Sequence, residues 1–129
     1  LNRYEVAQTG EKIAIIGLGT FFELAKEAAK LLKEEAGINA TVINPYYITG
    51  LDEALLTKLK QNHDTVITLE DGILDGGFGE KIARFYGASN MKVMNYGLKK
   101  EFLDRYDVDA VLKENHLTAE QIVEDVLSI

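Results

Sequence analysis

The stretch with the most capacity for chemistry is Leu69 to Gly79, LEDGILDGGFG. Two carboxylates, Glu70 and Asp71, end an apolar run from Thr65 to Leu69, and a glycine cluster, Gly76, Gly77 and Gly79, closes the stretch. Paired carboxylates can divide acid and base roles when something nearby separates their pKa values. No histidine, lysine or metal-ligand partner stands beside these two in sequence, so they do not define a catalytic site by themselves. Gly72 and Gly77 match the first and last glycines of a phosphate-binding loop, but the next two positions are Phe78 and Gly79. A phosphate loop needs Lys there for the β/γ-phosphates and Ser or Thr for Mg²⁺. Glu70, Asp71 and Asp75 would also repel phosphate.

The remaining candidates are weaker. Gly17-Leu18-Gly19 stands between a strand-like and a helix-like segment, where a dinucleotide fingerprint would stand, but its third glycine position is Phe22. A side chain there blocks close packing of helix on strand. Asp104, Asp107 and Asp109 resemble the start of a calcium loop, yet Val111 falls where an oxygen ligand belongs and Leu112 where a glycine belongs. Ser89, in Gly87-Ala88-Ser89-Asn90-Met91, lacks the second glycine of a nucleophile elbow and reads as a turn residue. The two histidines, His63 and His116, fall at helix ends, where a partial positive charge suits the helix dipole. Neither has the sequence neighbour that a metal pair requires.

The chain as a whole bounds what these residues can serve. Its 129 residues are enough for one domain with one core. There is no cysteine, which excludes disulfides, thiolate metal sites and a cysteine nucleophile, and fits a reducing cytoplasm. The net charge of −7 argues against nucleic acid and anionic membrane partners, which would repel the chain. No stretch approaches the roughly 18 apolar residues of a membrane span. No signal-peptide pattern opens the sequence, which starts without Met almost directly in a strand-like segment. The expectation is a fragment of a longer protein, with 1–129 as a single domain.

The elements that must position the acidic stretch follow from periodicity. Tyr4 to Gln8 reads as a short edge strand, and the turn Thr9-Gly10-Glu11 predicts that it pairs antiparallel with the next. Ile13 to Ile16 is continuously apolar, as in a strand covered on both faces. Thr20 is the expected N-cap of a helix whose inward face is Leu24, Ala25, Ala28, Leu31 and Leu32, ended by Gly37. A third strand spans Ala40 to Asn44, and Tyr46 to Gly50 is a loop with two aromatics that look exposed. A helix over Asp52 to Lys60 turns Leu51, Leu55, Leu56 and Leu59 inward. The fourth strand is Thr65 to Leu69, the third helix ends at Gly87, and the fifth strand is Lys92 to Asn95. Irregular turns over Lys99 to Tyr106, a short helix over Asp107 to Asn115, and a last helix opened by a Thr118/Gln121 capping box complete the chain. Alternating strands and helices from residue 13 to 95 predict an α/β fold with a mainly parallel sheet and helices on both faces.

Several segments together resemble a known family. Ile13 to Thr20 (IAIIGLGT), Gly50-Leu51-Asp52-Glu53-Ala54-Leu55-Leu56, His63 to Asp71, and Gly76-Gly77-Phe78-Gly79 are similar to the C-terminal domain of transketolase-like thiamine diphosphate enzymes. Asn95-Tyr96-Gly97-Leu98 with Phe102 is closest to the 1-deoxy-D-xylulose-5-phosphate synthase branch, although Thr49-Gly50 stands where that branch usually has Lys-Pro. The β subunits of 2-oxoacid dehydrogenases carry a similar Glu-x-Gly…Gly-Gly-x-Gly loop, and a free-standing ligand-binding α/β module is the reading from another class. The resemblance implies a three-layer α/β/α fold with a five-stranded, mostly parallel sheet whose first strand is antiparallel. It implies a parent transferase that uses thiamine diphosphate and Mg²⁺, and that joins pyruvate to glyceraldehyde 3-phosphate with loss of carbon dioxide. The cofactor motif, Gly-Asp-Gly followed by Asn-Asn, is absent here, so no catalytic, cofactor or metal residue is carried over. The implied role is structural: partners would be the parent's own N-terminal and central domains and a second copy in a homodimer. Glu70, Asp71, Gly76, Gly77, Phe78 and Gly79 form the expected interface.

Overall fold

The structure, a computed structural model, describes residues 2–73, 76–98 and 107–129. In chain order the strands are β1 (Glu5–Gln8), β2 (Lys12–Gly17), β3 (Thr41–Asn44), β4 (His63–Ile73) and β5 (Lys92–Leu98). The helices are α1 (Phe22–Ala36), α2 (Glu53–Leu59), α3 (Phe78–Tyr86), α4 (Val108–Glu114) and α5 (Ala119–Leu127). The five strands form one sheet in the order β1-β3-β2-β4-β5, with β1 antiparallel to β3 and the other pairs parallel.

Period-two alternation in the central strands divides the core between two faces. Ile13 and Ile15 of β2, Ile67 and Leu69 of β4, and Tyr96 of β5 pack with α1 and α5. Ala14 and Ile16 of β2, Ile43 of β3 and Val66 of β4 pack with α2 and α3. The result is the expected three layers. Helix α1 buries Ala25, Ala28, Ala29 and Leu32, and small residues let the helix lie close to the sheet. It stops at Gly37, whose φ of 69° is the left-handed conformation that glycine adopts without a Cβ penalty. Asp52 accepts from Leu55 N–H and caps α2, while its other oxygen accepts from Tyr4 N–H at 2.8 Å.

Three expectations are corrected. The first strand pairs with β3, not with the strand that follows it in sequence. A local turn signal cannot name a partner, and long-range bonds choose it here: Gly10 N–H donates to Thr41 Oγ1, and Gln8 Nε2 donates to Ala40 O, each 2.8–2.9 Å long. Thr20 does not cap α1; it sits inside a 3₁₀ turn, Gly19–Phe21, that leads into the helix without a side-chain cap. Strand β4 does not end before the carboxylates but runs through Glu70 and Asp71 to Ile73.

The capping box at α5 is half realised. Thr118 accepts from Gln121 N–H at 3.3 Å, but Gln121 reaches back to the Thr118 hydroxyl rather than to its backbone. The expected turns over Lys99 to Tyr106 lie outside the described residues.

Candidate functional site

In a sheet of this topology the ligand crevice opens where chain order reverses, beyond the carboxyl ends of β2 and β4. Backbone and side-chain contacts line it here. Leu18 N–H donates to Leu69 O at 2.9 Å and ties the two strand ends together. The Tyr47 ring lies over Gly19, so that a Cβ at Gly19 would stand 2.7 Å from Tyr47 Cε1. A Cβ at Gly17 would stand 2.4 Å from Phe21 O, which explains a glycine at that point without any nucleotide.

The acidic stretch is built into the same edge. Glu70 is 3% exposed. Its Oε1 accepts from Phe78 N–H at 3.1 Å and its Oε2 from Gly79 N–H at 2.7 Å. These are the first two amides of α3, whose N-cap is Gly77, a residue without a side chain to cap them. Glu70 therefore supplies from β4 the acceptor that a Ser or Asp would supply from the cap position. Glu80 adds a second brace from within the helix, its Oε1 accepting from Gly76 N–H at 2.8 Å. Burial pushes the Glu70 carboxyl above the ordinary glutamate range, the Gly79 and Phe78 amides pull it back, and the charges of Asp71 and Glu80 add to the rise.

Of the six residues expected at an interface, Glu70, Phe78 and Gly79 are buried against the chain's own sheet and helix. Asp71 and Gly76 are exposed, and Gly77 is half-buried. Phe78 meets Tyr4 edge to face at 6.2 Å. The glycine that permits a close approach is Gly79, and what approaches it is the Thr68–Asn95 hydrogen bond on the sheet. Asp75 lies outside the described residues.

Diphosphate does not fit this edge. The N–H groups that would meet an anion at the start of α3 are already taken by a carboxylate, and Asp71 and Glu80 stand beside it. Among the described residues no group of three or more His, Cys, Asp or Glu could hold a metal ion. Asp107, read as a possible calcium-loop residue, caps α4 by accepting from Ala110 N–H at 3.1 Å. Ser89 accepts from Met91 N–H and donates to Tyr86 O, as a turn residue would.

The two histidines do more than sit at helix ends. His63 bridges Thr41 Oγ1, 2.7 Å from Nε2, and Leu59 O, 3.1 Å from Nδ1. Burial lowers its pKa, opposed by the Leu59 carbonyl and the charges of Asp64 and Glu11. Because the folded value lies below the unfolded one, His63 contributes stability above about pH 6.5 that is lost as pH falls towards the folded value. Denaturant melts across that range should show stability declining with acidity, and replacement of His63 by Gln should flatten that limb. His116 meets Asp125 Oδ2 through Nδ1 at 2.9 Å, a partner nine residues away that periodicity does not announce.

The chain is a parallel-centred α/β/α domain whose edge acid, Glu70, is used as a helix cap. The model of the transketolase C-terminal domain matches residues 2–122, and the chain belongs to that family. Curated relatives are 1-deoxy-D-xylulose-5-phosphate synthases. That of Symbiobacterium thermophilum is 37% identical over 96% of this chain, and that of Lysinibacillus sphaericus 32% identical over 95%. The chain spans only about a fifth of those relatives, 19% and 20% of their lengths. Among solved structures, an inactive β4 tetramer of a split-gene transketolase superposes with a TM-score of 0.86 at 29% identity, over 98% of this chain and 42% of that one. A 2-oxoglutarate:ferredoxin oxidoreductase from Magnetococcus marinus, at 20% identity and a TM-score of 0.59 over 98% of this chain and 19% of that one, shares the fold.

Proposed function

We propose that residues 1–129 are the C-terminal structural and dimerisation domain of a longer 1-deoxy-D-xylulose-5-phosphate synthase. The parent would condense pyruvate with glyceraldehyde 3-phosphate, with loss of carbon dioxide, in the cytoplasm, and its product would serve isoprenoid and thiamine biosynthesis. The thiamine diphosphate and Mg²⁺ would be held by the parent's other domains. The observation that carries the reading for this chain is the fate of Glu70: both of its oxygens are bound to backbone amides of α3, so the buried acid of the edge serves as a helix cap. The relatives' name supports the parent's reaction, and the fifth of their length that this chain spans supports its being one part among several.

The surface offered to the other domains or to a second copy is what remains outward at the acidic edge: Asp71, Gly76 and Gly77. Glu70, Phe78 and Gly79 hold that surface in shape from behind. Calorimetric titration of the isolated chain with thiamine diphosphate and Mg²⁺ should give no binding heat; micromolar binding would overturn the supporting role. The parent, assayed with the same cofactors, should release carbon dioxide from pyruvate only when glyceraldehyde 3-phosphate is the acceptor. Activity with a lipoyl acceptor instead would reassign it to the 2-oxoacid dehydrogenases.

A further inference from the structure

At the amino end of the sheet the link from β1 to β2 has to cross β3, because β1 lies at the edge and β2 at the centre. The crossing is backbone on backbone: a Cβ at Gly10 would stand 2.0 Å from Asn39 O. Three bonds stitch the link to the start of β3. Gln8 Nε2 donates to Ala40 O, Gly10 N–H donates to Thr41 Oγ1 at 2.9 Å, and Glu11 N–H donates to Asn39 O at 2.8 Å. Lys12, where the link enters β2, has a left-handed backbone with φ 71°, a costly conformation for a residue with a side chain. The corner is thus held against strain, and Thr41 supplies the one side-chain acceptor among its three bonds.

Thr41 is 2% exposed, and its hydroxyl has a single proton to give. Its oxygen receives Gly10 N–H, and its other partner is His63 Nε2, 2.7 Å away. The tautomer of His63 follows from what surrounds the ring. Leu59 O, 3.1 Å from Nδ1, can only accept, so Nδ1 carries the proton and Nε2 takes the Thr41 proton. A neutral ring therefore satisfies every member of the series Gly10, Thr41, His63 and Leu59. A second ring proton upsets it. Nε2–H then faces Thr41 Oγ1, and the Thr41 proton has to turn away into a packed interior, where a donor without an acceptor is costly. The charged groups about the ring are Asp64 beside it, Glu11 and Lys12 at the start of β2, and Lys60 just after α2. Burial keeps the ring neutral at neutral pH against the pull of the Leu59 carbonyl, Asp64 and Glu11.

We propose that Thr41 and His63 form an acid-sensitive latch on the β1–β2 corner: a proton added at His63 Nε2 reverses the bond to Thr41 and frees the corner from β3, while the central strands stay paired. The device is local. It differs from a general loss of stability in acid, because it predicts which amides open and which do not.

The test is NMR of the isotope-labelled chain between about pH 7.5 and about pH 5, reading the His63 ring nitrogens and amide hydrogen exchange together. Exchange is expressed as protection relative to an unstructured peptide at each pH, so the intrinsic pH dependence cancels. The ring should be the Nδ1–H tautomer at neutral pH. As it charges, protection at Gly10 and Glu11 should fall about tenfold or more with the same midpoint, and the amides between β2 and β4 should keep theirs. Thr41→Val removes the hydroxyl at nearly constant shape. It should leave Gly10 unprotected at every pH and move the His63 midpoint up towards the ordinary histidine value, because the bond that favours the neutral ring is gone. A threonine that merely fills space would not move that midpoint. His63→Gln should make Gly10 protection independent of pH. The latch is overturned by an Nε2–H ring at neutral pH, by His63 charging with Gly10 and Glu11 still protected, or by all strands opening together at that midpoint. If either variant unfolds, the wild-type titration decides alone.

Discussion

Replacing Glu70 by Ala should lower the stability of this domain by about 2–4 kcal/mol, a drop in Tm of roughly 10 °C. Two charge-assisted hydrogen bonds disappear, to Phe78 N–H and Gly79 N–H, and both donors are left buried at the start of α3. Among the described residues no other side chain accepts from these amides, since the N-cap is Gly77 and Glu80 serves Gly76. Glu70→Gln keeps the shape but offers one acceptor oxygen for two donors, so it should cost less than Ala and still be measurable. The pH dependence separates charge from shape. The folded Glu70 carboxyl is raised by burial, so the titration-linked part of its stabilisation is complete below the ordinary glutamate range and is lost as pH rises through the folded value, while the two amide bonds persist. The advantage of wild type over Glu70→Gln should therefore narrow as pH rises through that window. Urea melts of the three proteins from acid to neutral pH measure both effects. Equal stabilities throughout would show that the α3 amides find water instead, and the cap reading would fail.

His63 acts in the opposite sense, because its folded pKa is lowered. The two groups give slopes of opposite sign in the mildly acidic range, and a flat wild-type profile could conceal both. Glu70→Gln exposes the histidine limb by itself, and His63→Gln exposes the carboxyl limb.

What the sequence made legible here was whatever is local. The apolar run Ile13 to Ile16, the inward stripe of α1 and the glycine stop at Gly37 each state their conformation in a few residues. The partner of β1 was not legible. Thr9-Gly10-Glu11 is turn-like, but it carries the chain from the edge strand past β3 to the central β2, and Thr41 and Ala40 beside β1 supply the bonds. The end of β4 was missed for a related reason. Carboxylates usually close a strand at solvent, whereas Glu70 stays inside because amides eight and nine residues further on solvate it. The pattern Glu70…Gly77-Phe78-Gly79, an acid upstream of a helix whose cap position is glycine, is the signal that could have found the clamp. His116 follows the end of α4 as expected, whereas His63 opens β4 rather than ending a helix, and their partners, Thr41 and Asp125, are distant in sequence and invisible to periodicity.

Gly79→Ala is the sharper test of how tightly that clamp is seated. Alanine should gain about 1 kcal/mol over glycine in a helix, so intrinsic propensity alone predicts stabilisation. The surroundings predict the reverse. A Cβ at Gly79 would stand 2.6 Å from Thr68 Oγ1, 2.7 Å from Asn95 Oδ1 and 2.8 Å from Asn95 Cγ. Thr68 is fully buried and its hydroxyl is bonded to Asn95 at 2.6 Å, so these short side chains cannot swing aside without breaking that bond. Moving α3 outward instead would stretch the amides away from Glu70. Overpacking of this kind costs about 1–3 kcal/mol, and with the bonds lost at Glu70 it outweighs the propensity gain, for a net loss of about 2 kcal/mol. Asn95→Ala removes two of the three close contacts, so Gly79→Ala should be far better tolerated in that background, with a coupling of about 1 kcal/mol or more. Simple addition of the two costs would mean that α3 slides freely over β4 and β5, and the glycine would then have to be explained by what packs on the outer face of the loop.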